Sequence, residues 1–165
     1  MYVRQLEFLG GIVMNELAIQ YWNEVKLQQN IEADAKVRAY RFGDTPDELA
    51  QLVVAGEKTA TCNALRLYAL NNRALPQPGD YNIILNKSFE PVCVIQITSV
   101  DIKKYDEIDE VFAIAEGDGS YNNWDDIHVR FFTEQLGLFD EPFHRQIELV
   151  CQTFQVVHIH EAYKK

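Results

Sequence analysis

A stretch rich in valine and isoleucine, Val92–Val100, predicts a long β-strand in the second half of the chain. Turn-forming residues lie on both sides of the segment before it, which predicts a shorter strand at Tyr81–Leu85. Near the end of the chain, apolar and polar residues alternate up to Cys151, and the pattern shifts phase at Phe154. This shift predicts a final long strand that contains a β-bulge.

Helical segments are expected on both sides of these strands. Apolar residues at helical spacing predict helices over Val13–Leu27, over Tyr105–Ala115, and around Trp124 as far as Gly137. The polar residues before Val37 predict a linker that runs into a short strand. The order of helices and strands predicts an α+β fold with a mostly antiparallel, barrel-like sheet.

A further helix is predicted to begin at Thr45. There the sequence TPDE combines a capping threonine, a proline suited to the first turn and a glutamate that completes a capping box. Gly56 lies where a helix ends in a left-handed residue. Lys58 and Thr61 follow, so they are expected just past this helix, at the start of a strand. A lysine in that place has an ordinary explanation, because positive side chains favour helix C-termini.

The composition limits the kinds of protein to which this chain can belong. The chain has 165 residues, of which 47% are apolar, enough for one hydrophobic core. Apolar runs are too short for a transmembrane helix and the first residues lack the features of a signal peptide, so no membrane association is expected. Three scattered cysteines without a CxxC pair indicate reduced thiols and a cytoplasmic protein. The net charge of −10 disfavours passive binding to DNA or RNA, although a local basic pocket can still bind a compact ligand.

Two polar motifs are candidates for binding sites. The sequence EGDGS at 116–120 predicts a turn with a cap for the next helix, and it lacks the pattern of a phosphate loop or a calcium loop. His158 and His160 share one face of a strand, but no third ligand lies near them in sequence, so no metal site is predicted. His128 is expected to pack against Trp124 or to line a pocket.

Taken together, several segments resemble the ASCH domain, in particular its bacterial DUF984-type subgroup. The resemblance covers about residues 40–157 and rests on RFGDTPDELAQLVVAGEKTAT, LPQPGDY, PVCVIQITSVDI, EIDEVFAIAEGDGS and LVCQTFQVV. It implies a PUA-like fold, that is, a small bent β-barrel flanked by helices with a cleft between them. Residues 1–35 fall outside the resemblance and are expected to form an N-terminal helical extension packed on an ASCH-like domain, residues 36–165.

The resemblance also implies a function. The family is linked to RNA and nucleoside ligands, and its relatives include a small bacterial amidohydrolase that removes the acetyl group of N4-acetylcytidine. In that enzyme the lysine and threonine of a GxKxxT motif act with a glutamate, without a cofactor, and these positions fall on Lys58, Thr61 and Glu116. Other relatives are reported as ribonucleases. Further ligand contacts are expected from Thr59, Arg66, Tyr68, Ser120, Trp124 and His128.

These residue types suit amide hydrolysis. A threonine hydroxyl is a poor nucleophile unless a base takes its proton, and a lysine whose pKa is lowered by burial or by a nearby cation can be that base. Glu116 is expected to hold the pyrimidine edge or to shuttle the proton. The leading hypothesis is hydrolysis of an N-acylated cytidine. A non-catalytic regulator that binds RNA or a nucleotide, and a metal-independent ribonuclease, are the alternatives.

Overall fold

The computed structural model describes residues 7–9 and 12–165. Its strands are β1 (Glu7–Leu9), β2 (Ile12–Met14), β3 (Val37–Tyr40), β4 (Ala60–Ala64), β5 (Tyr81–Leu85), β6 (Pro91–Lys104) and β7 (Glu148–Ile159). Its α-helices are α1 (Glu16–Gln28), α2 (Pro46–Val54), α3 (Leu65–Leu70), α4 (Glu110–Ala115) and α5 (Tyr121–Gly137).

Five of the strands form one mixed sheet in the order β3-β5-β6-β7-β4. β3 pairs with β5 in parallel, and the other neighbouring strands of this sheet pair antiparallel. Residues of both edge strands, β3 and β4, line one cavity, so the sheet is curled into a half-barrel. β1 and β2 form a separate antiparallel hairpin. The predicted α+β fold with a mostly antiparallel, barrel-like sheet is confirmed.

The register between the two longest strands is interrupted twice. Val157 of β7 is an extra residue opposite the step from Val94 to Ile95, which confirms the predicted bulge in the last strand. At the second interruption, Thr98 of β6 has no opposite residue in the β-ladder. The residue before it, Ile97, pairs with Phe154, where the apolar pattern of β7 shifts phase. The phase shift at Phe154 thus coincides with the second interruption, whose extra residue belongs to β6, and not with the bulge at Val157 of β7.

Helices cover both faces of the sheet. Ile83 of β5 belongs to the core under α1, whereas its neighbour Ile84 belongs to the core under α2, because successive side chains of a strand point to opposite faces. A third core lies under α4 and α5, where Trp124 and Phe132 are fully buried. α1 thus packs on the sheet, while the division of the chain at residue 35 stays a prediction. All three cysteines are buried free thiols.

Two helix boundaries differ from the prediction. The first helix begins at Glu16 instead of Val13, because Val13 belongs to β2 and the Asn15 side chain caps the helix by accepting the Ala18 N–H at 2.8 Å. The predicted helix over Tyr105–Ala115 is interrupted. Its first residues form a 3₁₀ turn, and α4 starts only after an aspartate cap.

The capping box predicted at the start of α2 does not form. Thr45 occupies the capping position and proline begins the helix as expected, but the Thr45 side chain makes no capping hydrogen bond. The short helix α3 was not predicted, since six residues leave little periodic signal. In the described part of the chain, no helix is long and apolar enough to cross a membrane.

Candidate active site

The end of α2 turns the chain toward α4. Gly56 has the predicted left-handed conformation, with φ of +77°. The amides of Gly56 and of the residue after it donate to carbonyls in the last turn of the helix at 3.0 and 2.9 Å, which is the Schellman pattern. The Thr59 N–H then donates to the Ala115 carbonyl of α4 at 2.7 Å. This turn places Lys58 beside the end of α4.

Lys58 is buried although it carries an amine, with only 4% of its surface exposed. Its Nζ donates to the carbonyls of Ala60 at 2.9 Å and Glu116 at 3.1 Å. Nζ also lies 4.7 Å from the centre of the Phe42 ring and 3.9 Å from Oε1 of Glu116. The two carbonyls occupy two of the three hydrogen-bonding positions at Nζ and leave the third for another partner.

Glu116 reaches Lys58 because a glycine follows it. Gly117 has φ of +93°, and a Cβ atom built there would lie 3.0 Å from the Leu52 side chain and 3.5 Å from Cβ of Lys58. A residue with a side chain would therefore be strained in this conformation, and the end of the Leu52 side chain would have to give way. The glycine of the sequence EGDGS is required by this close approach.

The Glu116 carboxylate is buried and accepts several hydrogen bonds. Oε1 accepts the Cys62 N–H at 2.9 Å. Oε2 accepts the indole N–H of Trp124 and lies 3.4 Å from Sγ of Cys62 and 3.3 Å from Nε2 of His128. The carboxylate is thus surrounded by donors from β4 and α5, which fix it in place.

These surroundings set the protonation of the carboxyl. Burial raises the pKa of Glu116. The hydrogen bond from His128 and the positive charge of Lys58 have the opposite effect, and the net pKa lies below its ordinary value. Burial and the nearby carboxylate raise the pKa of the Cys62 thiol well above its usual range. Glu116 is therefore an anion near neutral pH, whereas Cys62 stays a thiol and is a poor nucleophile.

His128 faces an acceptor on each side of its ring. Nδ1 lies 2.8 Å from the Trp124 carbonyl, and Nε2 points at the Glu116 carboxylate. A neutral ring has only one N–H, so two acceptors favour the imidazolium form. Burial lowers the pKa of His128, but Glu116, the Trp124 carbonyl and Asp118 together raise it by more, so the net pKa lies above the ordinary value. His128 stacks on Trp124 and also lines the pocket, so it fills both of the roles that the sequence offered as alternatives.

A cavity of ≈ 180 Å³, called the inner pocket below, opens over these residues. The structure brings Lys58, Thr61 and Glu116 together in its wall, although Thr61 and Glu116 are far apart in sequence. The sequence prediction missed several neighbours, since they come from separate segments. These are Phe42, Asp44, Cys62, Asp118, Arg130 and Phe131.

The other predicted ligand contacts lie in different places. Trp124 is fully buried behind Glu116. Thr59 is exposed beside the pocket, and the Ser120 hydroxyl caps α5 by accepting the Asn123 N–H at 3.2 Å. Arg66 forms an ion pair with Glu141 at 2.6 Å in a larger cavity of ≈ 700 Å³ that shares no residue with the inner pocket.

Three residues of the pocket could in principle hold a metal ion. One ligand atom from each of Cys62, Glu116 and His128 lies within 4.8 Å of the others, and such ligands suit zinc. These atoms already hydrogen-bond to one another, and the Lys58 amine lies 3.9 Å from the carboxylate. A cation there would displace these hydrogen bonds and, with Lys58 protonated, would meet a second positive charge. The metal-free site stays a prediction.

The chain is similar to known proteins in both sequence and structure. The sequence profile of the ASCH domain matches residues 38–158. An ASCH domain structure from Lactobacillus crispatus JV V101 is 27% identical and has a TM-score of 0.82, with 88% of this chain and 96% of that chain covered. A DUF984 protein structure from Enterococcus faecalis V583 is 34% identical and has a TM-score of 0.80, covering 87% and 90%. No curated protein matches the chain significantly.

Proposed function

Because the chain belongs to the ASCH domain family, we propose that its inner pocket binds a nucleoside-like ligand and hydrolyses the acyl group of an N-acylated cytidine. One observation carries this proposal. Lys58, Thr61 and Glu116, which match the lysine, threonine and glutamate of the related amidohydrolase, line one small pocket. A buried lysine next to a buried carboxylate in a cavity is also the kind of arrangement that marks functional sites.

In the proposed reaction the Thr61 oxygen attacks the acyl carbonyl carbon and its proton moves to Lys58 Nζ. This step uses Lys58 in its deprotonated form. Its two N–H groups then donate to the two carbonyls, and the lone pair at the third position of Nζ accepts the proton of Thr61. The bond between the acyl carbon and the exocyclic nitrogen then breaks, and that nitrogen takes the proton from Lys58. Water finally releases the acid from Thr61 and restores the hydroxyl.

We assign Glu116 a positioning role in this reaction. Its oxygens face donors from Cys62, Trp124 and His128, so few acceptor positions are left for a pyrimidine edge or a travelling proton. A fixed negative charge at this place holds the Lys58 amine at the pocket and keeps His128 oriented. This role differs from the two expected from the sequence.

A panel of substrates tests the proposal. Purified protein is incubated with N4-acetylcytidine, other N-acylated cytidines, unmodified nucleosides and short RNAs, and the products are separated chromatographically. Release of cytidine and acetate that is lost in Thr61→Val and kept in Thr61→Ser supports the proposal, since serine retains the hydroxyl. Binding without any product would favour the regulator, and cleaved RNA would favour the ribonuclease.

A further inference from the structure

A second cavity of ≈ 290 Å³ opens between the edge strands of the half-barrel, and we call it the arginine groove. It shares Phe42, Gly43, Thr61, Cys62 and Phe131 with the inner pocket, so the two cavities meet at β4. The inner pocket alone is smaller than most ligand sites, which measure about 300–1,000 Å³. A ligand that extends from one cavity into the other would have a site of ordinary size.

The groove differs in charge from the rest of this acidic protein. Arg38, Arg41 and Arg73 line it, and no aspartate or glutamate is among its described lining residues. The net charge of the chain is −10, so a groove whose only charged lining residues are basic is not expected from the average composition. The neighbouring inner pocket, in contrast, has three acidic lining residues, Asp44, Glu116 and Asp118.

The positive charges of the groove are not neutralised by carboxylates. Within residues 7–9 and 12–165, no ion pair joins Arg38, Arg41 or Arg73 to an acidic side chain. Arg38 donates to the carbonyl of residue 74 at 3.1 Å, and Arg41 donates to the carbonyl of residue 87 at 3.2 Å. These neutral partners hold the side chains in place and leave their charge available to an anion.

The floor of the groove carries buried amides. Asn82 and Gln152 are only 3% and 6% exposed, yet both line the cavity. Asn82 pairs with Arg38 in the parallel ladder, and Gln152 pairs with Thr61 in the antiparallel one. The sheet thus connects the arginines to the threonine of the inner pocket by residues that offer hydrogen bonds to a sugar or a phosphate.

We propose that the arginine groove binds the phosphate of a nucleotide whose base lies in the inner pocket. The substrate is then a phosphorylated nucleoside, either free or as a unit of an RNA strand, and not a bare nucleoside. Arginine suits this task because its planar fork of N–H donors matches phosphate oxygens. The identity of the base rests on the proposed function, whereas the phosphate site rests on the charges of the groove alone.

Binding measurements test this inference. Cytidine, cytidine 5′-monophosphate, a short cytidine oligonucleotide and inorganic pyrophosphate are titrated calorimetrically into the native protein, Arg41→Gln and Arg73→Gln. Both arginines are exposed, so the variants should fold. Lys103→Gln removes the same charge from an exposed residue outside both cavities and is the matched control. Each arginine variant should weaken monophosphate binding about tenfold and leave cytidine binding unchanged.

Each outcome is decisive for one of the two proposals. Equal affinity for cytidine and its monophosphate, with arginine variants that behave like Lys103→Gln, would overturn the phosphate site and leave the proposed function intact. Loss of pyrophosphate binding in the arginine variants, without any cytidine binding, would support the groove and contradict the proposed base. Tighter, arginine-dependent binding of the oligonucleotide than of the monophosphate would identify RNA as the source of the phosphate.

Discussion

The inner pocket and the arginine groove both include residues of β4, but they differ in whether their charged side chains have partners of opposite charge. In the inner pocket Lys58, Glu116 and His128 are mostly buried, and the protein supplies the partner of each charge. In the groove the arginines lack acidic partners in the described part of the chain, and two of the three are exposed. The pocket is therefore complete before a ligand arrives, whereas we expect the groove to gain its opposite charge from the ligand.

The comparison predicts that the pocket and the groove respond differently to mutation. Removal of one partner from a buried ion pair leaves the other charge without compensation in a medium of low polarity. Removal of an exposed arginine leaves water as a substitute. Substitutions in the pocket should thus change folding stability, and substitutions in the groove should change ligand affinity.

Glu116→Gln should have the largest effect on stability. The variant keeps the shape of the side chain but leaves Lys58 and His128 without a buried anion, which should cost about 3–5 kcal/mol of unfolding free energy. Urea denaturation followed by circular dichroism measures this cost. Glu148→Gln, at an exposed position of β7, is the matched control. A loss below about 1 kcal/mol, the usual value of an exposed pair, would show that the pocket charges are solvated.

His128→Gln should destabilise the protein in a pH-dependent way. Because the folded pKa of His128 is raised, its stabilisation is fully present below its ordinary pKa and is lost as the pH rises through the folded value. Because the pKa of Glu116 is lowered, the same pair weakens in acid as the pH falls through that value. The variant should lose about 1.5–3 kcal/mol at pH 6 and less at pH 9. A loss that is independent of pH would contradict an imidazolium.

Gly117→Ala should affect both the backbone and the packing of the Leu52 side chain. Gly79 has nearly the same φ, +94°, but a Cβ atom there would meet no neighbour within 4 Å, so Gly79→Ala measures backbone strain alone. Each substitution should cost about 1–2 kcal/mol for the left-handed conformation. The Gly117 variant should cost more, because its Cβ atom would lie only 3.0 Å from the Leu52 side chain, which must give way. Thermal melting of the two variants measures the difference, and equal costs would show that the Leu52 side chain gives way freely.

Arg41→Gln should have the smallest effect on stability. Arg41 is exposed and lies over the Phe89 ring at 4.0 Å, so its loss should change the unfolding free energy by no more than about 0.5 kcal/mol. Urea denaturation of the variant measures this change. A large destabilisation would mean that the arginines support the half-barrel and would weaken their assignment to ligand binding.

The local motifs could be predicted from the sequence, and the contacts between distant segments could not. Gly56, Lys58 and Thr61 lie in one short segment, so their placement after α2 followed from turn chemistry alone. Glu116 could be proposed only by resemblance. Its pairing with Cys62 depends on the packing of α4 against β4, across 54 residues of sequence.

The arginine groove could not be predicted from local sequence patterns either. Arg38 and Arg73 belong to different segments, and they line one cavity because the sheet curls and brings β3 near β4. The first turn of α2, where the predicted capping box does not form, also makes a contact that is distant in sequence. There Asp47 accepts the Lys87 N–H at 2.7 Å. Both contacts depend on the tertiary fold, which local sequence patterns do not show.

The activity of Lys58→Arg on N4-acetylcytidine tests the proposed mechanism most directly. Arginine keeps the positive charge but cannot release its proton near neutral pH, so loss of the base should lower the rate by about 10²–10⁴. Melting curves and ligand titrations of the same variant establish that it folds and still binds. We expect a folded variant that binds the nucleoside and does not turn it over. Full activity would contradict lysine as the base and leave Lys58 as a fixed charge that only binds the ligand.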